Sequence, residues 1–309
     1  MASDGLDEFS AHRRTLFAVA YRMLGSAADA EDAVQEAWLR WRGADRDRVV
    51  NPAAFLVKTV TNLCLNELGS ARARREVYVG PWLPEPAPTG NGELGPLETA
   101  EQREAVSVAV LLLLERLSPP ERAAYVLREA FGYSHREIAD VLGVSEANAR
   151  QLYRRAKTGV GSRPARAVDP ARWAELVTRF LGAAQRGDMA GLESMLVGEA
   201  VSYADGGGFV SAARNPILGA RRVARYFAGL ASARFSEGLR IAFDEANGEP
   251  CVLAFAEDGS LRAVVFFEIA DERIANIRAV LNPEKLAHAG ACLAGRAALS
   301  HFEEPSGRT

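Results

Sequence analysis

Amide and guanidinium side chains on one face of a helix are the groups that pair bidentately with adenine and guanine in a DNA major groove. The stretch SEANARQLYRRAK, residues 145–157, carries them at helical spacing. Ala149, Leu152, Tyr153 and Ala156 form a buried stripe there, which turns Asn148, Arg150, Gln151, Arg154 and Arg155 outward beside Ala147. The residues just upstream supply a mount. Ser134 is placed to cap a helix whose Ile138, Ala139 and Leu142 are apolar, Gly143 allows a tight turn, and Ser145 caps the helix that follows. Together they predict a helix-turn-helix. Arg150, Arg154, Arg155, Lys157, Arg163 and Arg166 succeed one another with no acid between them, a local field that the net charge of −3 conceals.

Two further faces are suited to contact. In NPAAFLVKTVTNLCLNEL, Asn51 is a helix cap and Pro52 sits in the first turn. Ala53, Leu56, Val57, Val60, Leu63, Cys64 and Leu68 read as its buried stripe, leaving Lys58, Thr61, Asn62 and Asn66 outside, with Arg72, Arg74 and Arg75 at its end. The macrodipole alone favours cations at a helix C-terminus. Joined to amides on one exposed face, they also suit phosphates beside base edges. Upstream, DAEDAVQEAWLRW buries Ala30, Ala33, Val34, Ala37, Trp38 and Trp41 and turns Asp32, Gln35, Glu36 and Leu39 the other way. An acidic stripe is ordinarily a solvated surface, and a leucine within it tilts the reading toward a protein partner.

Other chemistry has little footing. His12, His135, His288 and His301 are too scattered for a ligand set, and Cys64, Cys251 and Cys292 form no CxxC pair, so neither metal nor cofactor is expected. Between Arg166 and Asn282 there is no histidine. Asp205, beside Gly206, Gly207 and Gly208, stands in the one unusual acidic context, which a tight turn explains as well as anything. A non-enzymatic protein is the expectation.

The elements that position these faces fall into blocks. With 309 residues, 48% hydrophobic and 25% charged, the chain is globular and has core enough for several domains. No apolar run approaches the roughly 18 to 20 residues of a membrane span. Asp4, Asp7 and Glu8 precede any apolar stretch, unlike a signal peptide, so a cytoplasmic location is expected. The parse is an all-α domain at 6–77, a Pro/Gly-rich linker at 78–97, a second all-α domain at 98–162, an α+β domain at 166–286 and a tail at 287–309. Trp82 and Leu83, bracketed by prolines, predict a linker that docks. In the last domain two helices broken at Gly187 come first, and AVSYADGGGFV reads as strand, glycine turn and strand. After the helix GARRVARYFAGLA, four strands follow, turning at Asn247-Gly248, Asp258-Gly259 and Asp271-Glu272.

DAEDAVQEAWLRW and LSPPERAAYVLREAFGYSHREIADVLGVSEANARQLYRRA resemble regions two and four of the extracytoplasmic-function sigma factors of bacterial RNA polymerase, over residues 6–160. WLPEP at 82–86, DGGG at 205–208 and NPEKL at 282–286 are similar to marks of the SigJ-type subgroup, which carries a C-terminal SnoaL-like domain. The resemblance implies a multi-domain protein, two all-α sigma domains followed by an α+β NTF2-like cone. It implies core RNA polymerase, through the β′ clamp region and the β subunit, and promoter DNA as partners. Asp32, Gln35, Glu36 and Leu39 would meet core polymerase. Asn51, Lys58, Asn62, Asn66, Arg72, Arg74 and Arg75 would read the minus-ten element, and Asn148, Arg150, Gln151, Arg154 and Arg155 the minus-thirty-five element. Trp82, Leu83, Asp205, Gly206, Gly207, Gly208, Asn282, Pro283, Lys285 and Leu286 would make a regulatory contact in cis. A small-molecule ligand could occupy the cone, with Phe180, Phe209, Phe227, Phe255 and Phe267 as lining or plain core. The rival readings are a ligand-sensing helix-turn-helix regulator and a SnoaL-like cyclase or isomerase with a DNA-binding appendage.

Overall fold

Side-chain caps set where the first helices begin. The computed structural model describes residues 2–91, 94, 100–161, 169–232 and 238–297. It opens with α1 (Ala2–Leu24), α2 (Ala27–Arg42) and α3 (Pro52–Glu76), with a 3-10 turn at Arg46–Arg48. Ser26 accepts the amide of Asp29 at 3.1 Å and Asn51 that of Ala54 at 3.0 Å, satisfying donors that a helix start leaves open. Trp41 locks α2 to α1, its indole N–H donating to the Gly5 carbonyl at 2.9 Å.

The second helical unit comprises α4 (Ala100–Glu104), α5 (Val108–Leu114), α6 (Pro119–Phe131), α7 (His135–Leu142) and α8 (Glu146–Val160). Capping boxes of Ser118 with Glu121 and Ser134 with Glu137 start α6 and α7. Gly143 ends α7 at φ +67°, where a side chain would be strained, so α7, this turn and α8 form the expected helix-turn-helix. One hydrophobic cluster runs through both units, from Phe17, Leu56 and Cys64 to Leu127, Ile138 and Ala149. Both α6 and α7 pack on α3. The outer face assigned to α3 is corrected by burial: Thr61 is fully buried and Asn62 half-buried, while Lys58 and Asn66 stay exposed. Periodicity marks the widest apolar stripe of a helix but not a second partner on its flank.

The C-terminal part begins with α9 (Pro170–Gln185) and α10 (Met189–Ser194). Then come β1 (Leu196–Asp205), β2 (Ile217–Leu218), α11 (Ala220–Ser232), β3 (Arg240–Ala246), β4 (Glu249–Phe255), β5 (Leu261–Ala270), β6 (Arg273–Val280) and α12 (Pro283–Ala297). The sheet order is β2-β1-β6-β5-β4-β3, with β1 and β6 parallel and the other pairs antiparallel. Asn247 and Gly248 both have positive φ, as a two-residue hairpin turn requires. The strand expected at Phe209-Val210 is absent. That segment is an exposed loop, with Phe209 59% accessible, and β2 lies further on at Ile217–Leu218. Glycines free the backbone but do not dictate where pairing resumes. Residues 287–297, expected as tail, continue α12, and 298–309 lie outside the described residues.

Two cores flank the sheet. On one face α9 and α11 cover it, with Phe180, Phe227 and Phe267 packed ring on ring, so these side chains fill the interior. On the other, Phe266, Val280, Leu286 and partly buried Phe255 pack with Leu83 of the linker and Val108 of α5. The sheet is thereby shared between its own domain and the linker.

The buried hydroxyl of Thr61 has no hydrogen-bond partner among the described residues. Thr61→Val, nearly the same shape, is expected to stabilise the chain by about 1 kcal/mol, read as a higher midpoint of thermal unfolding.

Candidate functional site

Three exposed faces and one buried junction account for the candidate residues. On α8, Asn148, Arg150, Gln151, Arg154 and Arg155 are all exposed, and Ala149 and Ala156 are buried behind them. Arg150 pairs with Glu146 one turn back, which pre-sets its direction. Lys157 reaches the Tyr153 hydroxyl at 3.1 Å, and that hydroxyl donates to Glu129 of α6, so the α8 face is braced from below. On α2, Asp32, Gln35 and Leu39 are exposed, and half-buried Glu36 pairs with Arg40 at 3.0 Å.

The α3 set divides. Lys58 and Asn66 are exposed, Asn62 is half-covered, and Asn51 already serves as the helix cap. Arg72 and Arg74 lie on α3, but their side chains fall outside what is described. Arg75 turns inward. It donates to the Leu24 carbonyl at 2.6 Å, pairs with Glu115 and lies over the Trp82 ring at 3.8 Å.

Trp82, Leu83, Asp205 and Lys285 meet at the junction, with Tyr78. Asp205 is wholly buried at the end of β1. Its Oδ1 accepts the Tyr78 hydroxyl at 2.6 Å, and its Oδ2 accepts the Leu83 amide at 2.8 Å and Lys285 Nζ at 2.7 Å. Lys285 also donates to the Leu83 carbonyl at 2.6 Å, so one linker residue is held at both backbone groups. Burial pushes the Lys285 ammonium down to about 8 against the pull of Asp205, which leaves it charged at neutral pH. The backbone carbonyl of Asp205 takes the amides of Leu281 and Asn282. Asn282 caps the start of α12 and donates to Tyr78 Oη at 2.9 Å. Gly206 is close-packed: a Cβ there would come within 2.7 Å of the Val210 carbonyl oxygen. Gly207 and Gly208 have positive φ, while Gly208 and Pro283 are exposed and Leu286 is buried.

Sequence reasoning missed the linker's second attachment. Glu85, inside WLPEP, accepts the amides of Ala27 at 2.7 Å and Ala28 at 3.3 Å and so caps α2 from outside, while its own amide donates to the Gly25 carbonyl. The Glu85 carbonyl accepts the Tyr21 hydroxyl at 2.5 Å, and Asn247 Nδ2 donates to that hydroxyl at 2.6 Å. Asn247 also exchanges bonds with both backbone groups of Ala87, and Glu249 accepts the Val108 amide at the start of α5. An acid among prolines and an asparagine in a turn carry no local sign of such partners.

Residues 9–74 match the family Sigma-70 region 2, and residues 107–158 the family Sigma-70, region 4. The chain is 41% identical over 237 residues to the ECF RNA polymerase sigma factor SigJ of Mycobacterium tuberculosis, covering 76% of this chain and 75% of that one. It is 30% identical to the probable sigma factor SigI of the same organism over 89% of this chain and 92% of that one. The crystal structure of Mycobacterium tuberculosis SigJ superposes with a TM-score of 0.70 at 33% identity, covering 92% of this chain and 98% of that chain. Among the described residues no helix is long and apolar enough to cross a membrane.

Asp205→Asn leaves the Lys285 ammonium without its counter-charge in a buried place, a loss of about 3 to 5 kcal/mol for such pairs. The Leu83 amide is then expected to lose its protection from hydrogen exchange, with the α7 and α8 amides unaffected.

Proposed function

Since the chain belongs to the extracytoplasmic-function sigma factors of bacterial RNA polymerase, we propose that it initiates transcription through the three exposed faces above and is tuned in cis by its C-terminal domain. Sigma factors bind core RNA polymerase and promoter DNA. For this chain, Asp32, Gln35, Glu36 and Leu39 would meet the β′ clamp region. Lys58, Asn62 and Asn66 would meet the minus-ten element, with Arg72 and Arg74 on phosphates. Asn148, Arg150, Gln151, Arg154 and Arg155 would read the minus-thirty-five duplex in the major groove. Nothing in the reading requires catalysis.

The observation that carries the regulatory part is the double attachment of the linker. Leu83 is bonded to the C-terminal domain through Asp205 and Lys285, and Glu85 to the start of α2. In the same arrangement α6 and α7 pack on α3, Asn62 is half-buried, and Arg75 faces Trp82. A sigma factor held this way offers its α8 face but only part of its α3 face. Polymerase would select an arrangement in which the linker has let go, and a few kcal/mol separates the two populations by orders of magnitude.

In transcription with core enzyme, full-length Asp205→Asn and Trp82→Ala are expected to raise output severalfold with the promoter preference unchanged. Equal output from folded variants would remove the C-terminal domain from the control of initiation. Asp32→Arg with Glu36→Arg should abolish binding to core while leaving thermal unfolding unchanged, because neither side chain is in the core. Gln151→Ala or Arg154→Ala should cost about 1 to 3 kcal/mol at particular base pairs, read by binding to single-substitution promoters in holoenzyme.

A further inference from the structure

Between the linker, α5 and the sheet face turned away from α9 and α11 lies a cavity of about 550 Å³, within the usual size range of a small-molecule site. Its lining residues are of two kinds. Trp82, Leu112 and Leu113 are apolar lining, and Arg116 after α5, Arg214 before β2 and Arg278 on β6 line it as cations. Arg278 is 5% exposed and gives one amino group to Glu268 at 2.7 Å. No acid is among the described residues lining the cavity. Glu268, behind Arg278, balances one of the three cations.

We propose that this cavity binds a small organic anion, a carboxylate, sulfonate or phosphate joined to a flat apolar body. The guanidinium groups would take the charge, since their planar donors match such oxygens, and Trp82 with the two leucines would take the body. The site is distinct from the interior of the cone, where Phe180, Phe227 and Phe267 are packed. Its walls come from the linker, the second helical unit and the C-terminal domain, so an occupant favours the packed arrangement over an opened one. In that respect it rests on the regulation proposed above, whereas binding itself needs only the packing described here.

The test uses anilinonaphthalenesulfonate as probe, with phenylnaphthylamine, the same rings lacking the sulfonate, as its neutral counterpart, each titrated by fluorescence into the full-length chain without polymerase. Saturable one-to-one binding of the sulfonate is expected, about tenfold or more tighter than that of the neutral probe. Arg116→Gln with Arg214→Gln, both exposed positions, should weaken the sulfonate by about tenfold or more at an unchanged unfolding temperature. Leu112→Trp, which fills the cavity, should weaken both probes. Equal affinity for the two probes, or sulfonate binding that neither variant alters, would overturn the site. Polymerase is absent from the titration, so such a failure leaves the regulatory reading to be judged on transcription alone.

Discussion

A carboxylate wholly removed from solvent has to receive its hydrogen bonds from whatever folds around it, and at Asp205 the donors come from two parts of the chain far apart in sequence. Tyr78 and Leu83 belong to the linker, and Lys285 lies in the first turn of α12. None of these can move away without leaving a buried charge or a buried donor unmet. A fully satisfied buried pair is weak evidence for stability in itself, but breaking one half of it is costly, and that asymmetry makes Asp205 a latch rather than a stabilising contact among many. The backbone of the same residue receives the chain as it leaves β6, so the latch also fixes where α12 starts.

A second set of bonds holds the other end of the linker. Asn247 ties the β3–β4 turn to Ala87 and Tyr21, and Glu249 caps α5, so one hairpin end touches the linker and both helical units. Residues 83–88 are buried throughout despite their three prolines. Proline has no N–H to satisfy, and that makes a proline-rich segment cheap to bury between domains once its few remaining amides find acceptors. Glu85 adds a charge at the N-terminus of α2, the helix whose far face carries Asp32 and Leu39, so the linker and the proposed polymerase-binding face share one helix.

The helices and their caps were legible because the signals are local. Asn51, Ser134 and Ser145 each cap a helix within three residues of themselves, and the expected apolar stripe of α2 is buried apart from half-buried Trp38. The hairpin turn at Asn247-Gly248 was legible for the same reason. What the sequence did not disclose depends on contacts between segments far apart. Thr61 is fully buried although it lies off the apolar stripe of α3, Phe209 lies in a loop because β1 pairs with Ile217–Leu218 instead, and Arg75 turns from a DNA-facing position toward Trp82. The motifs WLPEP, DGGG and NPEKL stood out as strings, and the bonds among Leu83, Asp205 and Lys285 now give them a shared physical reason.

Release of the packed arrangement on assembly is the central claim, and the separation of the two helical units tests it most directly. Spin labels at Gly43→Cys and Thr158→Cys, both exposed and outside every proposed contact, would be placed in a chain carrying Cys292→Ser, with buried Cys64 and Cys251 retained. Pulsed electron paramagnetic resonance should give one narrow distance distribution for the free chain. In the complex with core polymerase and promoter DNA that distribution should move to longer distances. The same narrow distribution in both states would contradict the claim.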